Sequence, residues 1–184
     1  KVLVFTGAGE CVSVGGKHFM HGCRRNIDLN VVMINNQIYG MTGGQLAPTT
    51  PHGAETQTSP LGNPETPFDA CELAESAGAT YVARWTTGHP FQLVGALKEA
   101  LEHCGFAFVE VLSQCPVQAV RYMRGTSDPV ELMKQLKGET VHVDRAAELS
   151  AADLDGKFLI GTLHRDEERP ELSEQVYRLQ NGGD

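Results

Sequence analysis

The sequence predicts an α/β protein built on a doubly wound, mostly parallel sheet. Short runs of consecutive apolar residues recur along the chain, which is typical of strands buried on both faces of a parallel sheet. Segments with helical spacing of apolar residues separate these runs, so strands and helices alternate. Turns rich in glycine or asparagine follow the first two strands, at the sheet edge where open α/β proteins bind their ligands.

The composition of the 184-residue chain narrows the possible partners. A hydrophobic content of 41% is enough for one domain with its own core. The net charge of −8 argues against nucleic acid, because phosphate backbones are bound by basic surfaces. No apolar run approaches membrane-spanning length, and the first residues do not resemble a signal peptide. We therefore expect no nucleic-acid partner and no membrane partner.

The five cysteines are odd in number, scattered and free of CxxC spacing. This pattern is typical of a reducing compartment rather than of a disulfide framework, so we predict a cytoplasmic protein. The chain starts with Lys1 inside a predicted strand. From this start we expect that an N-terminal portion is missing.

The first predicted unit is a strand, a glycine turn, a helix and a second strand. Residues 1–6 form the first strand, Gly7 and Gly9 interrupt it, and residues 15–26 have helical spacing of apolar residues. Residues 29–34 form the second strand. A right-handed crossover makes the two strands parallel, so their carboxyl ends lie on the same edge of the sheet.

Residues 35–66 show no periodicity and are rich in glycine and proline. Loops of this length are unusual and are mostly functional or disordered. The segment either folds over a ligand, which we favour, or is a flexible excursion.

The next helix is predicted to begin at Thr66 as its N-cap, with Pro67 in the first turn and Asp69 near the positive helix end. Gly78 ends this helix, and residues 79–85 form a third strand. A further helix runs from Pro90 to a stop at Gly105, and residues 106–112 form a fourth strand. The buried face of that helix is predicted to consist of Val94, Leu97, Leu101 and Cys104.

The predicted domain organisation has residues 1–127 as the main domain and residues 128–184 as an extension packed on it. In the extension, a charged and weakly patterned stretch separates a first helix from a strand and a terminal helix. These segments are the helix at 128–137, the charged stretch to Asp155, the strand at 157–163 and the helix at 170–179.

The turns after the first two strands suggest a phosphate site. A glycine turn lets backbone N–H groups approach a phosphate, although many such turns serve packing only. A diphosphate is commonly held through a divalent cation with oxygen ligands. The side chain of Asn36 and the carbonyl of Ile38 are ligands of this kind.

The spacing of Gly7-x-Gly9, 25 residues and then Asn35-Asn36 resembles the thiamine diphosphate signature. More specifically, the chain closely resembles the β subunit of 2-oxoacid:ferredoxin oxidoreductases of the 2-oxoglutarate synthase type. The resemblance is carried by Gly15–His18, Arg24–Asp28, Asn35–Gln45, Pro48–Pro51, Tyr81–Arg84, Phe108–Val111, Cys115–Pro116 and Leu163–Arg165.

This resemblance implies a thiamine diphosphate-binding fold and a reaction. The family decarboxylates a 2-oxoacid on thiamine diphosphate, passes electrons through a [4Fe–4S] cluster to ferredoxin, and transfers the acyl group to coenzyme A. It also implies an α subunit as partner, with γ and ferredoxin-like δ subunits as further candidates. The isolated chain is expected to be inactive.

The resemblance also assigns the site by position. The turn of residues 7–9 would hold the diphosphate, and Asn36 and the Ile38 carbonyl would ligate Mg²⁺. Met41 and Thr42 would line the diphosphate and thiazolium side of the cofactor. No catalytic residue is assigned with certainty, and His18 is the one candidate, because it lies on the first turn of the helix after the glycines.

The first turn departs from the family pattern. The family has an aspartate between the two glycines as the carboxylate ligand of the cation, and this chain has Ala8. Glu10, two residues on, is therefore a hypothetical replacement ligand for Mg²⁺. It is alternatively a surface residue at the start of the turn.

Cys115 corresponds to the last cluster ligand of the family, and the other cluster ligands lie outside this chain. On composition alone Cys115 would be a packing residue, as we assign the other four cysteines.

Two other functions stay open at this point. The chain is either a catalytic subunit or a non-catalytic or truncated homologue that serves assembly, which Ala8 favours. Another thiamine diphosphate enzyme, related to acetolactate synthase, is a third interpretation.

Overall fold

A computed structural model describes residues 1–182 of the chain. Within this range the strands are β1 (Leu3–Gly7), β2 (Asn30–Asn35), β3 (Tyr81–Thr86), β4 (Ala107–Leu112), β5 (Thr140–His142) and β6 (Phe158–Arg165). The helices are α1 (Gly16–Arg25), α2 (Ala70–Ala77), α3 (Pro90–Glu102), α4 (Pro129–Gly138), α5 (Val143–Ala146), α6 (Ala151–Leu154) and α7 (Leu172–Gln180). Two five-residue π-helices, Glu10–Val14 and Val120–Arg124, precede α1 and α4.

The strands form one sheet in the order β1-β2-β4-β3-β6-β5. The first four strands in this order are parallel, β6 runs antiparallel to β3, and β5 runs parallel to β6. The prediction of a mostly parallel α/β sheet is thus confirmed. The first two strands are parallel neighbours with Gly7 opposite Ile34, so the prediction that their carboxyl ends lie on the same sheet edge is also confirmed.

Helices cover both faces of the sheet, which makes it doubly wound. On one face α1 and α2 pack against the central strands, and the ring of Phe19 meets that of Phe108 edge-on at 4.9 Å between centroids. On the other face α3 packs against β3 and β4. The core therefore lies on either side of the middle strands.

β1 does not match the prediction of a strand covered on both faces. Val2 and Phe5 are 58% and 66% exposed, and Leu3 and Val4 are also exposed. The physical reason is position, because β1 is the edge strand and α3 covers the middle of the sheet only. The apolar run therefore predicted the strand correctly and its burial incorrectly.

The start of α2 also differs from the prediction. The helix begins at Ala70, and the Asp69 carboxylate rather than Thr66 caps it, accepting from the N–H groups of Cys71 at 2.9 Å and Glu72 at 3.0 Å. The N–H of Phe68 instead bonds the Pro48 carbonyl, which draws residues 66–69 into the long loop. The predicted end at Gly78 is confirmed.

The predicted buried face of α3 is correct only for Leu97, which is partly buried against the core. Ala96 and Ala100 are the buried residues, whereas Val94, Leu101 and Cys104 are exposed. Small side chains let the helix axis approach the sheet closely, so the alanines face inward and the larger residues flank them. The assignment of Cys104 to packing is corrected by the same observation.

The charged stretch before residue 155 is more regular than predicted. It contains β5, α5 and α6, each too short for a periodic pattern to emerge from the sequence. A capping box between Ser150 and Asp153 was the local signal for α6. β6 adds to the main sheet beside β3, so the extension is continuous with the central sheet.

The long loop at 35–66 has no helix and no named strand, as predicted. Its own polar groups hold it together: Asn63 donates to the Thr50 carbonyl at 2.8 Å, and Tyr39 bridges Gln45. These contacts show a folded loop and argue against a flexible excursion, and its role at a ligand stays a prediction.

Candidate functional site

The turns that follow β1 and β2 are in direct contact. The parallel register sets Gly7 beside Ile34, so both turns begin at the same level of the sheet edge. A Cβ added to Gly9 would overlap the ring of Tyr39, which comes from the second turn. A side chain at position 9 would displace the Tyr39 ring, and the fold joins the two predicted half-sites into one.

The first turn presents one carboxylate. Ala8 is 6% exposed, and its methyl group belongs to the apolar core under α1. The exposed Glu10 folds back, so that a Cβ added to Gly7 would overlap its carboxylate. The carboxylate of Glu10 therefore lies over the glycine turn, and the side chain of Ala8 brings no polar atom to it.

Cys11 lies next to this turn but is chemically quiet. Burial raises the pKa of its thiol to about 12, and the negative charges of Glu110 and Glu10 act in the same direction. A thiol with so high a pKa stays protonated at neutral pH and is a packing group.

The two adjacent asparagines of the second turn have different roles. Asn35 is 2% exposed and fully engaged: its Nδ2 donates to Glu110 at 2.7 Å, and its Oδ1 accepts from Thr49 Oγ1 at 2.8 Å and from the Gln37 N–H at 3.0 Å. Asn36 is half-buried, and its Oδ1 accepts only a longer bond of 3.2 Å from the N–H of Ile38. Asn35 builds the turn, and Asn36 carries the oxygen that a cation can take.

Met41 and Thr42 lie at the tip of the bridge between Tyr39 and Gln45. Met41 is 99% exposed, and Thr42 exchanges hydrogen bonds with the side chain of Gln45 at 2.6 and 2.7 Å. The described part of the chain therefore does not enclose these two residues. A ligand that contacts them would lie at the surface of this chain.

Cys115 lies in the same site. A Cβ added to Gly40 would stand 3.5 Å both from its Sγ and from Asn36 Nδ2. The half-buried Sγ accepts the N–H of Gln118 at 3.3 Å.

His18 lies exposed on α1. None of the hydrogen bonds formed by residues 1–182 links it to either turn. The described residues thus give it no hydrogen bond to the rest of the site.

A buried charged network supports the second turn and was missed in the sequence. Arg84 and Glu110, 3% and 1% exposed, face each other across β3 and β4 with Nε and Oε2 2.5 Å apart. Asp69 accepts from Arg84 Nη2 at 2.5 Å. Burial by itself lowers the pKa of Arg84, but the charges of Glu110 and Asp69 outweigh it and raise the pKa. The signal was present for two of these residues, since Arg84 and Glu110 each interrupt an apolar strand.

Asp69, Cys71 and Glu110 bring potential metal ligands within 4.8 Å of one another, a grouping found once among residues 1–182. Arg84 already bonds both carboxylates, and burial raises the pKa of the Cys71 thiol well above its ordinary value. The group is therefore an ion-pair cluster in which the Arg84 guanidinium neutralises the two carboxylates.

A cavity of about 780 Å³ opens beside this network. Asn35 and Gln37 line it, whereas Asn36 and Ile38 are not among its lining residues. Its walls include both charge signs, with Arg84, Arg124 and Lys157 facing Glu110 and Glu139.

Within residues 1–182, no helix has the length and apolar character needed to cross a membrane.

Residues 1–111 match the family described as "Thiamine pyrophosphate enzyme, C-terminal TPP binding domain". The chain is 49% identical over 178 residues to the 2-oxoglutarate synthase subunit KorB of Methanocaldococcus jannaschii, a match covering 97% of this chain and 65% of the relative. It is 55% identical over 137 residues to the KorB subunit of Archaeoglobus fulgidus, covering 74% of this chain and 49% of that one.

A solved structure is also similar. It is the 2-oxoglutarate:ferredoxin oxidoreductase from Magnetococcus marinus with 2-oxoglutarate, coenzyme A and succinyl-CoA bound. The TM-score is 0.77 at 31% sequence identity, and the match covers 97% of this chain and 61% of that one. The chain thus spans less than two thirds of the length of these relatives.

Proposed function

Because the chain belongs to the thiamine pyrophosphate enzyme family through its C-terminal TPP-binding domain, we propose that it forms the thiamine diphosphate site in the β subunit of a 2-oxoacid:ferredoxin oxidoreductase. The proposed substrate is 2-oxoglutarate, with coenzyme A as acyl acceptor and ferredoxin as electron acceptor. The relatives named above support this choice, since they are 2-oxoglutarate enzymes or their subunits.

The contact between Gly9 and Tyr39 carries the proposal. It brings a backbone turn without side chains against a turn that offers amide and carbonyl oxygens. Such a pair suits a diphosphate and its cation, since the glycines allow close approach and Mg²⁺ prefers oxygen ligands. Residues 7–9 would hold the diphosphate, and Asn36 Oδ1 and the Ile38 carbonyl would ligate Mg²⁺.

The exposed tip at Met41 and Thr42 would contact the cofactor from one side, leaving the other side to a partner subunit. When bound, thiamine diphosphate supplies the nucleophilic carbon and the electron sink for decarboxylation of a 2-oxoacid. The residues of this chain bind and orient that cofactor. An α subunit is the proposed partner, with γ and ferredoxin-like δ subunits as further ones.

Glu10 is the proposed carboxylate ligand in place of the one that Ala8 lacks. Its carboxylate lies over Gly7 in the turn, and Ala8 is buried in the core. Since metal affinity depends on ligand charge, Glu10→Gln should weaken Mg²⁺ binding at saturating thiamine diphosphate by about tenfold or more. The measurement is calorimetric titration of the full chain with its partner subunit, and Glu148→Gln is the control for loss of an exposed acid. Equal Mg²⁺ affinity in both variants would refute the role of Glu10.

Cys115 is the proposed ligand of a [4Fe–4S] cluster whose other ligands lie outside this chain. Its support is the position of its Sγ beside Gly40 and its bond from Gln118. Cys115→Ser should lower the iron content and the visible absorbance of the reconstituted complex, whereas the exposed Cys104→Ser should not. A full cluster in the Cys115 variant would remove it from the ligand set.

A non-catalytic assembly subunit is the second candidate function, and the buried Ala8 favours it because the usual acid is absent from the turn. Retention of thiamine diphosphate after purification of the complex separates the catalytic subunit from the assembly subunit.

We also propose that residues 1–127 carry the cofactor site and that residues 128–184 pack on it in a cytoplasmic protein. The bond between Arg124 and Glu139 and the five free cysteines support these assignments.

A further inference from the structure

Gln37 adopts an unusual backbone conformation in the middle of the second turn. Its φ is +64°, and among residues 1–182 only Asn26 is another non-glycine residue with a positive φ. A left-handed backbone is unfavourable for a residue with a long side chain. Such a conformation persists where several contacts enforce it, and these positions are concentrated at functional sites.

Three hydrogen bonds enforce the conformation of Gln37. Its N–H donates to Asn35 Oδ1 at 3.0 Å, and its carbonyl accepts from Thr50 Oγ1 at 2.7 Å. Its side-chain Oε1 accepts from Nη2 of Arg124 at 2.7 Å. The residue is 5% exposed, so these bonds are largely shielded from competing water.

The conformation of Gln37 separates the side chains of the turn into two directions. Asn35 and Gln37 line the large cavity, whereas Asn36 and Ile38 do not. Asn36 Oδ1 is held by a single long bond to the Ile38 N–H, so it is oriented yet easily released to a ligand. The backbone of Gln37 thus determines where the two proposed ligand oxygens point.

Arg124 connects this turn to the C-terminal part of the chain. It ends the second π-helix, and its Nη1 donates to the Glu139 carboxylate at the end of α4. The side chains of Arg124 and Glu139 are 16% and 32% exposed. The link fixes the position of the Arg124 guanidinium beside Gln37.

We propose that Gln37 and Arg124 are a positioning pair that presents Asn36 Oδ1 and the Ile38 carbonyl to the cation. The inference rests on the proposed function, in which these oxygens ligate Mg²⁺. Neither residue of the pair touches the cation. They act through the backbone, in the way that groups behind metal ligands orient those ligands.

The test compares Mg²⁺ affinity with thermal stability in the full chain assembled with its partner subunit. Arg124→Ala and Gln37→Gly each remove the side-chain bond, and glycine adopts the left-handed backbone without strain. Each variant should weaken Mg²⁺ binding at saturating thiamine diphosphate by about 10–100-fold. The double variant should lose no more Mg²⁺ affinity than the single variant that binds Mg²⁺ more weakly, because both changes break the same unit. Gln37→Glu keeps an acceptor for Arg124, so it should retain most of the Mg²⁺ affinity that Gln37→Gly loses.

Lys157→Ala is the matched control. Lys157 lines the same cavity, but its ammonium donates to the Gly138 carbonyl at 2.6 Å rather than to the turn. It should leave Mg²⁺ affinity within about twofold of the unmodified chain. Arg124→Lys serves where Arg124→Ala fails to fold.

Two negative results have different meanings. If the unmodified complex binds thiamine diphosphate with Mg²⁺ and the Gln37 and Arg124 variants bind it equally well, the positioning role is refuted even when their thermal stability falls. If the unmodified complex binds no cofactor, the proposed function is refuted and the positioning role with it.

Discussion

Removing the Glu110 carboxylate should destabilise the fold more than any exposed ion pair could. Glu110 and Arg84 are 1% and 3% exposed, and their Oε2 and Nε atoms are 2.5 Å apart. Glu110→Ala leaves a buried guanidinium with Asp69, whose side chain is 31% exposed, as its remaining carboxylate. It also removes the acceptor of Asn35 Nδ2. Both groups lose a partner at a position where the side chains are almost fully buried.

The expected loss follows from the burial of the pair. Breaking a buried pair by deleting one partner typically costs about 3–5 kcal/mol, because the other charge is left uncompensated. For a chain of this size that loss lowers the melting temperature by roughly 6–20 °C. Glu110→Gln keeps an acceptor for Asn35 and Arg84 but not the charge, so it should cost about half as much.

Urea unfolding followed by fluorescence of the single tryptophan, Trp85, measures these differences, since Trp85 lies on β3 next to Arg84. Replacing both partners together, as Arg84→Met with Glu110→Leu, should recover most of the loss because no buried charge remains. A loss below about 1 kcal/mol for Glu110→Ala, with an unchanged denaturant slope, would contradict the reasoning. So would a double variant as unstable as Glu110→Ala alone.

Three further predictions concern other parts of the molecule. Asn26→Ala should lower the free energy of unfolding in urea by about 2–4 kcal/mol. The reason is that the buried Asn26 Oδ1 accepts from the N–H of Phe106 at 2.7 Å and that the left-handed φ of +50° disfavours alanine. Asn26→Asp keeps the acceptor and should cost less. Burial lowers the pKa of His103, so the contribution of the neutral side chain to the free energy of unfolding is complete above its ordinary pKa of 6.5 and falls as the pH drops below it. His103→Gln should flatten this dependence of the free energy of unfolding on pH, and an unchanged slope would contradict the assignment. Thiol labelling of the native chain at pH 8 should modify the exposed Cys104 first, whereas the buried cysteines, including Cys23 with its pKa raised to about 12 by burial, should react only after unfolding; mass spectrometry of the labelled peptides distinguishes these outcomes.

The sequence predicted the elements of the sheet well because their signals are local. Apolar runs and glycine stops define each strand, and a βαβ unit leaves few choices of connection. It predicted burial less well, because burial depends on the order of strands across the sheet. Leu3 and Phe5 look like core residues and lie on an edge strand, whereas Ala96 and Ala100 look unremarkable and form the contact of α3.

The candidate site divides in the same way. The two turns were predictable from the spacing of glycines and asparagines, and their contact through Gly9 and Tyr39 follows from the parallel register. The separate roles of Asn35 and Asn36 were not predictable, because they depend on Glu110, 75 residues further along the chain. A left-handed glutamine is equally hidden, since no propensity favours one.

The exposed first strand affects how any of these measurements should be made. β1 pairs with β2 on one side, and among residues 1–182 no other strand pairs with its outer side. An open strand edge with apolar side chains is a template on which a second molecule can add a strand. Self-association by this route grows with protein concentration, whereas unfolding and ligand binding within one molecule do not. Titrations repeated across a dilution series therefore separate the two, and a charge such as Phe5→Lys on the open strand should suppress the association without touching the two turns.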